Sequence, residues 1–118
     1  MKTSSIARTL ALLAVLALAL NAFAAGGQMT IKLYESKNLN GKQLKPGEYK
    51  VKWERHSTEA DVTFLKDKNE VVAVKGKFVD RGSPATANAV VTRLNGDGTE
   101  TIKELRFQGK SEVLILNE

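Results

Sequence analysis

The chain has 118 residues, of which 42% are hydrophobic and 26% charged, with a formal net charge of +5 and no cysteine. The lack of cysteine excludes disulfide bonds and thiolate metal sites, and a single histidine has no second imidazole with which to share zinc. The basic residues are scattered rather than clustered, so the charge does not predict nucleic-acid binding.

The N-terminal segment predicts a cleavable signal helix over residues 1–24. Lys2 and Arg8 form a basic region, residues 10–20 are uninterrupted leucine, alanine and valine, and Ala22-Phe23-Ala24 supplies the small residues that signal peptidase reads. A membrane-spanning helix needs about 20 apolar residues, so this run is too short for a lasting anchor. We expect a periplasmic or secreted protein with no stable membrane insertion after cleavage.

Removal of 24 residues leaves 94, which is enough for one domain over 25–118. The removed segment carries two basic and no acidic residues, so the formal charge falls to +3. A small exported domain without cysteine is held together by packing alone, which favours a bacterial envelope over a eukaryotic secretory route.

Alternating apolar and polar residues from Met29 onward predict an all-β fold, because no part of the mature chain has a helical period. The first strand is expected over 29–33, and Asn40-Gly41 predicts a reversal in the polar loop that follows. The clearest strand covers 49–54 and carries its apolar side chains on one face: Tyr49, Val51 and Trp53.

The middle of the chain predicts a hairpin of strands 60–65 and 71–74, joined by the charged turn 66–69. Gly76 lies inside the second strand pattern, where a glycine often marks a bulge or kink. Residues 80–88 are small and polar, so they predict the longest and most mobile loop.

Three further strands are expected at 89–94, 101–107 and 112–116, joined by short turns. The last of them is apolar on both faces, which is typical of a central strand covered on both sides. In total, the pattern predicts a single antiparallel β-sandwich or small barrel of about seven strands.

No catalytic residue, cofactor or metal site is predicted. His56 could act as a general base near pH 7 only if the fold brought a carboxylate such as Glu59 or Asp61 beside it. Residues 95–99 begin like an EF-hand loop, but Glu100 and Arg106 stand where that motif needs glycine and glutamate, so a hairpin turn is expected.

Tyr49 and Trp53 could stack on a sugar if their face were open to solvent. A domain with so few aromatic residues needs them in its core, so we expect core positions for both.

The Pro-Gly-Glu-Tyr-Lys-Val-Lys-Trp stretch at 46–53 resembles a strand motif of small exported bacterial all-β proteins of uncharacterised function, which also end in a strand similar to 103–110. The turn and strand at 46–51 are similar to those of transthyretin-like carboxypeptidase regulatory domains, which are β-sandwiches. The resemblance implies a sandwich fold and names no activity.

These features predict an exported, non-enzymatic β-domain with a binding or structural role at the cell envelope. Its partner would be an unidentified envelope protein or polysaccharide, and the oligomeric state stays open. The alternatives are a small hydrolase or isomerase that uses His56 with a nearby carboxylate, or an inhibitor that acts through the 80–88 loop.

The N-terminal segment predicts where the exported protein begins. Protein exported through the general pathway should begin at Ala25 or within a residue of it, because the peptidase recognises the small residues before that position. Intact-mass analysis of the envelope fraction measures this directly. Retention of Met1 in that fraction would contradict the prediction.

Overall fold

The computed structural model describes residues 26–117. Within that range the chain is all-β, which confirms the predicted fold class, and no described helix is long and apolar enough to cross a membrane. The predicted signal helix at 1–24 lies outside the described residues. The strands are β1 (Gly26–Leu33), β2 (Lys37–Leu39), β3 (Lys42–Leu44), β4 (Gly47–His56), β5 (Glu59–Lys66), β6 (Asn69–Asp80), β7 (Ala89–Leu94), β8 (Glu100–Arg106) and β9 (Glu112–Leu116).

The strands form one open sheet in the order β1-β4-β5-β6-β9-β8-β2-β3, with β7 on the other edge of β8. Every ladder is antiparallel except the single β2–β8 pairing. β6 pairs with β5 along its first part and with β9 along its last, so it belongs to both halves of the sheet. The two halves enclose one core, and the sheet does not close into a barrel.

The described residues contain nine strands, two more than expected, because the predicted polar loop after β1 is a hairpin. Asn40 and Gly41 form its turn with φ values of 51° and 75°, the left-handed conformation that a two-residue hairpin turn requires. The predicted reversal is therefore confirmed. The strands β2 and β3 have only three residues each, too few for an alternating pattern to be recognised, yet they bury Leu39 and Leu44 completely.

The β2–β3 hairpin connects the two halves of the sheet. Its first strand pairs with β8, while the side chains of Asn40 and Lys42 donate hydrogen bonds to the carbonyl oxygens of Ala73 and Val71 on β6, at 3.2 and 2.9 Å. These bonds satisfy acceptors on a part of β6 that β9 does not reach. The hairpin thus fills the gap between β6 and β8 beyond the end of β9.

Gly76 does not mark a bulge, because the pairing of β6 is regular at this position on both sides. A Cβ atom at Gly76 would lie 2.8 Å from Cδ1 of Leu114 and 3.1 Å from the carbonyl oxygen of Ile115. The glycine is needed for the close approach of β9. The β5–β6 ladder has its register shift between Phe64 and Leu65 instead.

A second register shift, between β7 and β8, makes Lys103 the extra residue of a β-bulge. Without it, Ile102 and Leu105 would point to opposite faces of the sheet. With it, both are fully buried in the core, while Glu104 is turned to the outer face.

β9 is central, as its apolar sequence predicted. It lies between β6 and β8, and its buried side chains come from both faces of the strand: Val113, Leu114 and Leu116. An outer face that buries Val113 requires a covering segment, and residues 81–88 provide it.

Because the β2–β3 hairpin connects the two halves of the sheet, we expect its buried side chains to contribute to the free energy of unfolding. Leu39→Ala should lower the free energy of unfolding by about 2 to 5 kcal/mol, because it leaves a cavity where the sheet halves meet. The matched control is Leu94→Ala, whose side chain is 70% exposed and whose loss should change stability by less than about 0.5 kcal/mol. Urea denaturation of both variants measures the difference; equal midpoints would show that the hairpin does not support the core.

Candidate functional site

The structure brings His56 to one of the two carboxylates that the sequence suggested. Nε2 of His56 lies 3.2 Å from Oδ2 of Asp61, and Glu59 stands opposite His56 in the β4–β5 ladder. Asp61 also pairs with Lys75, whose hydrogen bond is the main reason that the pKa of Asp61 is lowered. The His56 and Asp61 side chains are 58% and 45% exposed, so this is a surface ion pair rather than an enclosed site.

Tyr49 lies in the core, and Trp53 packs against it. Tyr49 is 2% exposed and its hydroxyl donates to the carbonyl oxygen of Lys45 at 2.6 Å, which confirms its predicted position. Trp53 is half-buried: it packs against the core cluster, with its ring 4.9 Å from that of Phe107. A Cβ atom at Gly27 would fall 2.4 Å from the indole, so the backbone of β1 lies directly on the ring. Neither side chain forms a sugar platform.

Residues 95–99 form the expected hairpin turn. The amide of Asn95 donates to the carbonyl oxygen of Thr99 at 2.7 Å, and Asp97 accepts hydrogen bonds from the hydroxyl and amide of Thr99. Those two bonds lower the pKa of Asp97. Within residues 26–117, no three histidine, aspartate or glutamate side chains form a group that could hold a metal ion.

The most unusual charged group lies on the outer face of β8 and was not predicted. The Glu104 side chain is 8% exposed, and it accepts hydrogen bonds of 2.7 Å from Nη2 of Arg81 and from Nε of Arg106. Burial raises the pKa of Glu104, but the two arginine hydrogen bonds outweigh burial and hold the pKa below its ordinary value. Glu104 is therefore ionised at neutral pH.

Residues 81–88 fold over this outer face. Backbone hydrogen bonds join the amide of Arg81 to the carbonyl oxygen of Ser111, the amide of Ala85 to that of Lys110, and the amide of Gly109 to that of Ala85, at 2.8 to 3.0 Å. The segment is the longest connection between described strands, as predicted. The mobility of this segment stays a prediction. The three backbone hydrogen bonds restrain the segment and therefore argue against high mobility.

Between this loop and the sheet lies an open concavity of about 500 Å³, which we call the arginine pocket. Its lining combines three cationic side chains with small and hydroxyl-bearing ones: Arg81, Arg106 and Lys110 with Ser83, Pro84, Ala85, Thr86, Ala87, Ala89 and Val113. No described residue of the lining is acidic. Glu104 beneath it neutralises one of the three positive charges, so the pocket keeps a formal charge of +2.

Glu104 holds the two guanidinium groups in place, and each group keeps N–H donors that Glu104 does not accept. A guanidinium carries five N–H donors, and each arginine gives one of them to Glu104. Their side chains are 50% and 48% exposed, so the remaining donors are accessible from solvent. The arrangement can therefore receive an anion without first ordering two flexible arginines.

No protein-family model, curated protein or solved structure matches the chain. The resemblance drawn from the 46–53 motif stays a prediction.

We expect ionised Glu104 to stabilise the fold and to make the free energy of unfolding depend on pH. Because its folded-state pKa lies below the ordinary value of 4.5, its ionisation stabilises the fold above that value, and this contribution is lost as the pH falls through the folded pKa. Glu104→Gln should lower the free energy of unfolding at pH 7 by about 1 to 3 kcal/mol. The variant should also lose less stability than the native protein between pH 7 and pH 3.

Urea denaturation at both pH values provides the measurement. Glu48→Gln on the exposed face of β4 is the control and should behave as the native protein does. If Glu104→Gln and the native protein lost equal stability on acidification, the arginine hydrogen bonds would not contribute to folding.

Proposed function

We propose that this chain is an exported, non-enzymatic binding domain that takes an oxyanion, the carboxylate or phosphate group of an envelope component, in the arginine pocket. The observation that carries the proposal is the buried Glu104 carboxylate, which holds Arg81 and Arg106 side by side at the base of an open concavity.

Two guanidinium groups at one site repel each other, so they need a carboxylate to hold them together. Glu104 supplies that charge from beneath and leaves the solvent side of both arginines positive. Arginine binds carboxylate and phosphate oxygens through parallel hydrogen bonds, which are stronger than neutral ones. Ordering both side chains before the ligand arrives lowers the entropic cost of binding.

The rest of the pocket suits a polar, anionic group. Lys110 adds a third positive charge, and Ser83 and Thr86 offer hydroxyls that can donate to an oxyanion or to neighbouring sugar hydroxyls. The remaining lining is small, which leaves room for a sugar ring or an acidic side chain. Envelope polysaccharides and proteins that carry carboxylates or phosphates have this chemistry. The formal charge of +3 expected after cleavage of residues 1–24 assists their approach.

Catalysis at His56 has less support than binding in the arginine pocket. His56 and Asp61 lie on an exposed face of the sheet, and Asp61 is already bound to Lys75. A general base needs a cleft that holds substrate beside it, and the lining of the open concavity of about 530 Å³ beside Asp61 and Lys75 does not include His56. In the inhibitor alternative, the 80–88 loop contacts a partner enzyme. In the structure this loop forms one wall of the arginine pocket, and backbone hydrogen bonds fix it to the β8–β9 turn.

Binding of inorganic phosphate, followed through the backbone amide resonances of residues 81–88, tests the proposal. Arg106→Gln removes the donors that face the pocket and should weaken binding by about 10- to 100-fold, the loss expected for charge-assisted hydrogen bonds. The matched control, Lys52→Gln on the opposite half of the sheet, removes the same charge and should change affinity by less than about twofold.

Equal weakening by the two variants would show general attraction to positive charge and would contradict a built site. Acetate in place of phosphate, and then polymers that carry one group or the other, separate the two sources of the oxyanion.

A further inference from the structure

β1 has a strand on one side only. It pairs with β4 over all eight of its residues, and among the described residues no strand pairs with its other edge. Natural proteins protect such edges with proline, bulges or several charges, because an open edge can add another strand. β1 has no proline, its ladder has no register shift, and Lys32 is its one charged residue.

The backbone groups at this edge can be identified from the pairing. Hydrogen-bonding direction alternates along each antiparallel strand. The amide of Asn117 donates to the carbonyl oxygen of Lys75, and the alternation that starts from this bond runs through β6, β5 and β4 to β1. It directs the N–H and C=O groups of Gln28, Thr30 and Lys32 away from β4, toward the open edge.

This edge is complementary to a second copy of itself. An antiparallel copy with Thr30 on the twofold axis places the outward backbone groups of Thr30 opposite each other as a hydrogen-bonded pair. Gln28 then faces Lys32 of the second copy, so no like charges meet. Such cross-strand pairs stabilise a sheet.

The core side of the edge is complementary as well. In the same register Met29 faces Ile31 of the second copy, on the face that carries the core residues. Met29 is half-buried and packs against the core cluster beside the open edge. Apolar pairing here covers surface that a single chain leaves partly exposed.

From these observations we infer that the protein forms a homodimer through β1, in which two copies join their sheets antiparallel about a twofold axis at Thr30. This surface is separate from the arginine pocket and does not depend on the function proposed for that pocket.

Engineered cysteines test the register, because the native chain has none. The Cα atoms of a hydrogen-bonded antiparallel pair are about 5.5 Å apart, within the range that a disulfide spans. Thr30→Cys should therefore form a disulfide-linked dimer under mild oxidation, at least about tenfold faster than Gln28→Cys at equal concentration. Gln28→Cys mixed with Lys32→Cys should form the mixed dimer.

Sedimentation of cysteine-free variants tests the backbone contact independently. Thr30→Pro removes an outward N–H that the β1–β4 ladder does not use, so it should abolish the dimer, whereas Thr30→Val keeps the N–H and should preserve it. Trp53 fluorescence reports whether β1 stays docked, because Gly27 lies on the indole. A native protein that sediments as a monomer, or Thr30→Cys that cross-links no faster than Gln28→Cys, overturns the inference.

Discussion

The hydrogen bonds that Glu104 accepts from Arg81 and Arg106 depend on one extra residue in β8. The bulge at Lys103 allows Ile102 and Leu105 to enter the same core, and it turns the carboxylate between them to the other face. A carboxylate buried there is costly unless charged donors satisfy it. Arg106 from the same strand and Arg81 from the loop after β6 meet that requirement, so core packing and the candidate site arise from the same irregularity.

The loop over residues 81–88 has a physical reason to lie where it does. Its first residue is tied to Glu104 through a side chain and to Ser111 through the backbone, and Ala85 is bonded to the β8–β9 turn. The loop covers Val113, so β9 has buried side chains on both of its faces. These hydrogen bonds attach a segment of small polar residues, which has little of its own to bury, to the strands beneath it. It then contributes one wall of a cationic pocket.

Most of the sheet could be predicted from the alternation of apolar and polar residues, because a strand with one face in the core and one face in solvent has this pattern. The segment 49–54 lies within β4, and the hairpin of 60–65 and 71–74 is the observed β5–β6 pair. The β2–β3 hairpin was missed because three-residue strands are too short to show a period. The arginine pocket was missed because a bulge changes which residues share a face, and alternation alone cannot place it. A glutamate between Ile102 and Leu105, with basic residues on both sides of this segment, was the one available signal.

Glu104 positions two arginines, which we propose receive an oxyanion. The Nε–H resonances of Arg81 and Arg106 measure this most directly, because each reports the hydrogen bonds of its own guanidinium. Titration with phosphate should shift both resonances together, with one shared dissociation constant, while in Glu104→Gln the shifts should become small and independent. Unchanged Nε–H resonances in the native protein at saturating phosphate would contradict the account.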